Sequence, residues 1–245
     1  MTDLEPAPSI ALVNAILGVA ALVASVTGFG YALVAIPFLV LLLPPAQAVP
    51  LVLISWFPIA IFLVIGSRRH LVRDRLMRLL VGGIAGAPLG IYGLASFSDS
   101  TMRAVIGAIT LLAVVAMAVR TSEPLAREGG ALLGAGLLSG ALAGASGLSG
   151  PPIVLLGLRQ RWSHESFRAT LLCYFFILHT LISLTLGNVG LLTWDTLSMS
   201  LQALPGVATG FVVGMWLKGR VETGMYRRLT IGLVTGGGLL ALALH

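Results

Sequence analysis

Hydrophobic positions in this chain fall into long unbroken blocks, with short polar stretches setting the blocks apart. An apolar block of about 20 residues can cross a bilayer as a helix. Six blocks have that character, at 48–66, 76–95, 102–119, 169–186, 196–217 and 229–244. Two longer ones, 10–43 and 131–158, exceed one simple crossing, and glycines interrupt both. The first interruption reads Ala24-Ser25-Val26-Thr27-Gly28-Phe29-Gly30. The second reads Ala143-Gly144-Ala145-Ser146-Gly147-Leu148-Ser149-Gly150-Pro151-Pro152. Thr27-Gly28-Phe29 aligns with Ser146-Gly147-Leu148 at a separation of 119 residues. A helix broken inside a bilayer bares amide groups that lipid cannot satisfy, so the break must face protein or a cavity. The same interruption in both halves of a chain points to a transporter's binding site.

The polar stretches give direction, because cytoplasmic connections gather Lys and Arg. Here 14 of the 15 basic residues fall in four connections, within 68–78, 120–127, 159–168 and 218–228, and Arg103 alone lies elsewhere. The connections at 44–47 and 187–195 have none. Placing all four basic connections inside requires 131–158 to begin and end in the cytoplasm, as a hairpin. Block 10–43 then begins and ends outside, and both chain termini lie outside. The pattern predicts an all-α integral membrane protein of about eight membrane helices, built as an inverted repeat. Each half is a glycine-broken helical hairpin followed by three transmembrane helices. One membrane domain spans 1–245, with repeats at 10–119 and 130–245. Two further matches keep the same order. Gly86-Ala87-Pro88-Leu89-Gly90 pairs with Gly206-Val207-Ala208-Thr209-Gly210 at 120 residues. Arg103-Ala104-Val105-Ile106-Gly107 pairs with Arg228-Leu229-Thr230-Ile231-Gly232 at 125.

Composition narrows the class. The chain is 57% hydrophobic and 10% charged, with mean hydropathy +1.00, whereas a soluble domain carries about 25% charged residues. The N-terminus has Asp3 and Glu5 but no basic residue, so it lacks the start of a secretory signal, and the first block is expected to be a retained membrane segment. The single cysteine, Cys173, excludes an internal disulfide and a cysteine-based metal cluster. The net charge of +6 resides in short loops between spans, which suits membrane orientation and not nucleic acid. No metal site, cofactor or nucleotide-binding motif is expected. The partners are the lipid bilayer and a small anionic substrate, with association into a homo-oligomer left open.

The chemistry of the breaks favours that anion. Ser149-Gly150-Pro151-Pro152 reads as a helix start, with Ser149 as cap and proline where amides are unpaired anyway. The half-helix it opens runs to Leu158, about 12 Å, which puts its start near the middle of the bilayer. A second half-helix starts near Gly30. Helix starts offer free N–H donors and partial positive charge, and Ser25, Thr27, Ser146 and Ser149 can add hydroxyls. The competing reading is that Gly28, Gly30, Gly147 and Gly150 merely allow close helix crossing. All nine acidic residues fall in termini or loops, while cation and proton pathways place carboxylates in spans. Phe29, Leu148, Ser55, Trp56 and Tyr174 are candidate walls of the site, Ser55 and Tyr174 being 119 residues apart. Arg168 is either an interfacial anchor or a charge that draws anions in. His179 is either a proton carrier for coupling or a partner in an ordinary interhelical hydrogen bond. Trp162, Trp194 and Trp216 read as interfacial anchors.

The same residues resemble the TauE/SafE sulfite exporter (TSUP) family. The likeness rests on Thr27-Gly28-Phe29-Gly30 with Pro37 downstream. It rests more specifically on the run from Gly140 through Pro152, followed by Phe167-Arg168-Ala169-Thr170-Leu171. It covers essentially the whole chain, and departs from the family where Tyr31 and Ala32 replace further glycines, a change expected to reshape the pocket. The resemblance implies a permease of the bacterial inner (cytoplasmic) membrane, an exporter of small anions such as sulfite or an organosulfonate like sulfoacetate, and not an enzyme. Alternating access, one repeat rocking on the other, would expose the central site to each side. Two alternatives stand beside it. Gly147-Leu148-Ser149-Gly150 also fits the Gly-x-Ser-Gly pattern of rhomboid intramembrane proteases, with His179 as partner. A non-transporting membrane assembly protein would have no central polar cavity.

Overall fold

The computed structural model describes residues 9–118, 123–125, 127–218, 220 and 223–243. Asp3, Glu5, Val119, Arg120, Glu222 and Leu244 lie outside them, as do the side chains of Arg227 and Arg228. The described residues form helices and no strands: α1 (Ile10–Thr27), α2 (Tyr31–Leu39), α3 (Pro45–Ser67), α4 (Arg73–Ser96), α5 (Asp99–Ala118), α6 (Glu128–Ser146), α7 (Gly150–Arg159), α8 (His164–Asn188), α9 (Trp194–Gln202), α10 (Leu204–Leu217) and α11 (Thr223–Ala243). Among the described residues five helices are long and apolar enough to cross a membrane: α1, α3 with its short continuation to His70, α4, α6 and α8. The protein is therefore an all-α, multi-pass membrane protein. The element order repeats, a broken pair and a long helix followed by further helices in each half.

Block 196–217 is not the straight span expected. α9 and α10 meet at a bend of 43°. Pro205 sits in the first turn of α10, where it has no N–H to give and its ring crowds the preceding turn. Asn14 on α1 fills the gap this leaves. Its Nδ2 donates to the Gln202 carbonyl at 3.0 Å, and the Gly206 N–H donates to its Oδ1 at 2.8 Å. In a straight helix residues 206 and 202 would bond to each other. One side chain thus splices the bend and holds α1 to it.

The two interruptions are helix ends of one kind. Gly28 and Gly147 close α1 and α6 in the left-handed region, at φ 85° and 72°, where a residue with a Cβ is disfavoured. The Gly28 N–H reaches Ala24 O at 2.7 Å, and the Gly147 N–H reaches Ala143 O at 2.8 Å. The restarts differ. Gly30 is left-handed again at φ 95°, while Ser149 is not, at φ −91°.

The halves do not sit side by side. α4 packs on α6 of the other half, and α1 packs on α10. Gly82, Gly86 and Gly90 of α4 face Gly136, Gly140 and Gly144 of α6 so closely that a methyl group at any of them would run into the opposite backbone. Gly206 and Gly210 are equally tight against α1, and Gly214 meets Leu22 and Ser25. Both pairs run in the same direction, so α1 finishes level with the end of α10. α2 lies against α11, α5 against α7, and α3 against α8. Small residues at such crossings are what membrane helices use in place of a hydrophobic driving force.

Candidate functional site

The two interruptions converge. A narrow cavity of about 30 Å³ is lined by Phe29, Gly30 and the first turn of α2, by Gly147–Gly150 at the start of α7, by Val52, Leu53 and Trp56 of α3, and by Phe175 and His179 of α8. No Asp or Glu is among these residues. No side chain caps either half-helix, so their first amides are left to the surroundings. The two starts are unequal. Pro151 and Pro152 remove two N–H groups from α7, whereas Tyr31, Ala32 and Leu33 of α2 keep theirs.

Two side-chain polar atoms at the cavity are buried without a hydrogen-bond partner, Trp56 Nε1 and His179 Nδ1. A buried donor left unpaired is costly, which makes the Trp56 N–H a candidate contact for a ligand acceptor. Trp56 leans on the Tyr31 ring at 5.3 Å between centroids, and Tyr31 in turn bonds through its hydroxyl to Ser55 Oγ at 2.8 Å. His179 stacks on Phe175 at 5.7 Å, and its Nε2 bonds Ser149 Oγ at 2.8 Å. Ser149 therefore does not cap α7 as expected, because its hydroxyl is turned to α8 instead.

Phe29, Gly30, Trp56, Gly147, Leu148, Ser149, Gly150 and His179 thus meet at one place, and other expected site residues stand behind the wall. The Ser25 hydroxyl donates to Leu22 O at 2.8 Å, that of Ser146 to Leu142 O at 2.8 Å, and Thr27 Oγ1 lies 2.9 Å from Val23 O. These hydroxyls are held by their own helices and are not free donors. Ser55 backs Tyr31. Tyr174 points away, donating to Gly136 O at 3.4 Å and lying under Gly83 at the α4–α6 crossing. Gly28 is the floor of another contact. The Arg168 side chain lies against it, and Arg168 Nε is buried without a partner. Lys218, exposed at the end of α10, is lowered from the ordinary lysine range by partial desolvation first and by the Arg168 cation second.

Two contributors were not singled out from the sequence. Tyr31, seen there only as a departure from the family's glycines, fills part of the cavity and orders Trp56. Arg103, the lone basic residue outside the four basic connections, donates through Nε to Val40 O at 2.8 Å. It therefore caps the end of α2, where a cation meets the negative end of the helix dipole.

The sulfite exporter TauE/SafE family matches residues 13–241. A curated relative from Cupriavidus necator, described as a "Probable sulfite/organosulfonate exporter TauE", is 23% identical over 231 residues, covering 92% of this chain and 90% of its own. No solved structure matches the chain. With the match running through both interruptions and nearly end to end, the chain belongs to the sulfite exporter TauE/SafE family.

Proposed function

We propose that this protein exports a small anion, sulfite or an organosulfonate such as sulfoacetate, across the bacterial inner membrane by alternating access around the cavity between its two broken helices. The observation that carries this reading is convergence: two uncapped helix starts and Trp56, whose buried indole N–H has no partner, line one space that has no carboxylate. Each feature favours negative charge. The family and the relative's name support the anion class. The space itself admits a water or two, so the conformation is a closed one, and the anion would bind as the walls part. In this reading the repeats at 10–119 and 130–245, with both termini outside and the basic connections in the cytoplasm, each supply one broken helix to the cavity where that motion occurs.

The Ser149–His179 contact is also what a serine–histidine dyad requires. Against that use, Ser149 is 3% exposed and His179 5%, and the cavity has no room for a peptide. The pair is better read as a brace between α7 and α8 at the cavity wall.

The test is counterflow in proteoliposomes with labelled sulfite, sulfoacetate, taurine and sulfate. At least one sulfur oxyanion is expected to exchange. If none moves under any gradient, the proposal falls. Gly147→Val and Gly28→Val should abolish the flux while leaving insertion intact, because a β-branched residue in the left-handed region costs about 1–2 kcal/mol and shifts the helix starts. Wild-type flux in both variants would assign these glycines to packing alone.

A further inference from the structure

The two breaks are mirrored in sequence but not in their electrostatic surroundings. At the first, the Arg168 side chain lies along Gly28: a Cβ on Gly28 would stand 3.3 Å from Arg168 Cγ and Nε. At the second, the atoms nearest a Cβ on Gly147 belong to Ile36 and Leu53, at 3.8–4.0 Å, and are all apolar. Arg168 is half-buried one turn inside α8, and its Nε is buried without a partner. Lys218 stands at the end of α10, which runs parallel to α1 with Gly214 against Leu22 and Ser25, so it lies level with Gly28 and the Arg168 side chain there. The ion pairs among the described residues join Arg75 to Glu128 and Arg78 to Asp74, and neither involves Arg168 or Lys218. Among the described residues no carboxylate pairs with either cation, and two neighbouring cations repel each other until an anion comes between them.

We propose that Arg168 and Lys218 form a separate anion-capture site at the Gly28 break, on one side of the molecule only, which loads the central cavity from the cytoplasm. The inference rests on the transport reading above and adds a side to it. The position 119 residues before Arg168 is Val49, so the first repeat has no cation at the place equivalent to Arg168. A half-buried guanidinium presents a fork of donors suited to a sulfonate or sulfite oxygen pair, and Lys218, exposed at the helix end, gathers anions from solution. Gly28 has no side chain to separate that fork from Phe29 and Gly30, the next residues and part of the cavity wall. Release on the far side meets no such pair, so the anion is not held there.

The experiment measures sulfoacetate counterflow separately at each face, in proteoliposomes sorted by orientation, for the parent, Arg168→Gln, Lys218→Gln and the double variant. Clefts of one charge sign raise local anion concentration by about tenfold or more. The expectation is therefore an approximately tenfold higher KM in each single variant at the face bearing the pair, with KM at the other face unmoved. Salt should raise the parent's KM at that face and leave the double variant's alone. Arg168→Lys should restore part of the effect, keeping the charge without the fork. An equal rise at both faces, or no rise at either, overturns the proposal. If Arg168→Gln does not insert, Lys218→Gln decides alone, since that side chain is exposed. A parent that moves no sulfoacetate refutes the transport reading for that anion and this inference with it. A parent whose two faces are alike in KM and salt response refutes the inference only.

Discussion

Trp56 separates binding from stability more cleanly than any other residue at the cavity. Its Nε1–H is buried and makes no hydrogen bond within the protein, so replacing it by phenylalanine removes no internal bond while keeping an aromatic ring beside Tyr31. A hydrogen bond to a charged acceptor contributes about 1.5–3 kcal/mol, which corresponds to about tenfold to a hundredfold in affinity. Trp56→Phe should therefore raise the KM for the transported anion by about that factor, with thermal unfolding in detergent shifted by a few degrees at most. A KM equal to the parent's would mean the indole nitrogen faces no ligand. Ser55, its chain neighbour, offers no such separation, because its hydroxyl already bonds Tyr31.

At the scale of elements, Asn14 shows what a hydropathy pattern does not hold. The two glycine breaks, their register and the proline-led start of α7 were legible because glycine and proline act on the backbone at their own positions. The bend between α9 and α10 depends on Pro205 and on Asn14, which is 192 positions from the Gly206 it holds, and one asparagine in an apolar block announces no partner. Tyr174 failed to reach the cavity for a related reason. The 119-residue offset places its Cα in register with Ser55, but the direction of its ring follows the space left by Gly83 and Gly136 at the α4–α6 crossing. Sequence symmetry fixes backbone register, while local packing decides where side chains point. The bend yields a prediction of its own. Asn14→Ala deprives the exposed Gln202 carbonyl and the part-buried Gly206 N–H of their partner, at about 0.5–1.5 kcal/mol for each bond. Thermal stability in detergent should fall measurably, whereas Asn14→Ala with an unchanged melting temperature would show that the bend satisfies itself.

At the scale of the whole molecule, the interleaving of halves constrains the alternating access proposed above. If each repeat moved as a unit, α1 would slide on α10 and α4 on α6. Those are the two crossings where a single methyl group would meet opposing backbone. Packed interfaces of this kind shift between discrete arrangements and do not deform continuously. Under the proposed alternating access the rigid units would be mixed ones, α1 with α10 and α4 with α6, each drawing one helix from either half. Motion would then fall at the contacts around α2, α7, α3 and α8, where the cavity lies. Thiol cross-linking distinguishes the two schemes, once Cys173 has been replaced to leave no native thiol. Val81→Cys on α4 and Leu133→Cys on α6 are both exposed and flank the tight crossing where Gly82 meets the Leu133 carbonyl. Joining them with a short bifunctional reagent should leave anion counterflow at the uncross-linked rate. Joining Ala32→Cys to Leu148→Cys, which line the cavity from the two breaks, should stop it. Arrest by the first cross-link would mean the halves do rock past one another, and the glycine seams between them would then be sliding surfaces and not locks.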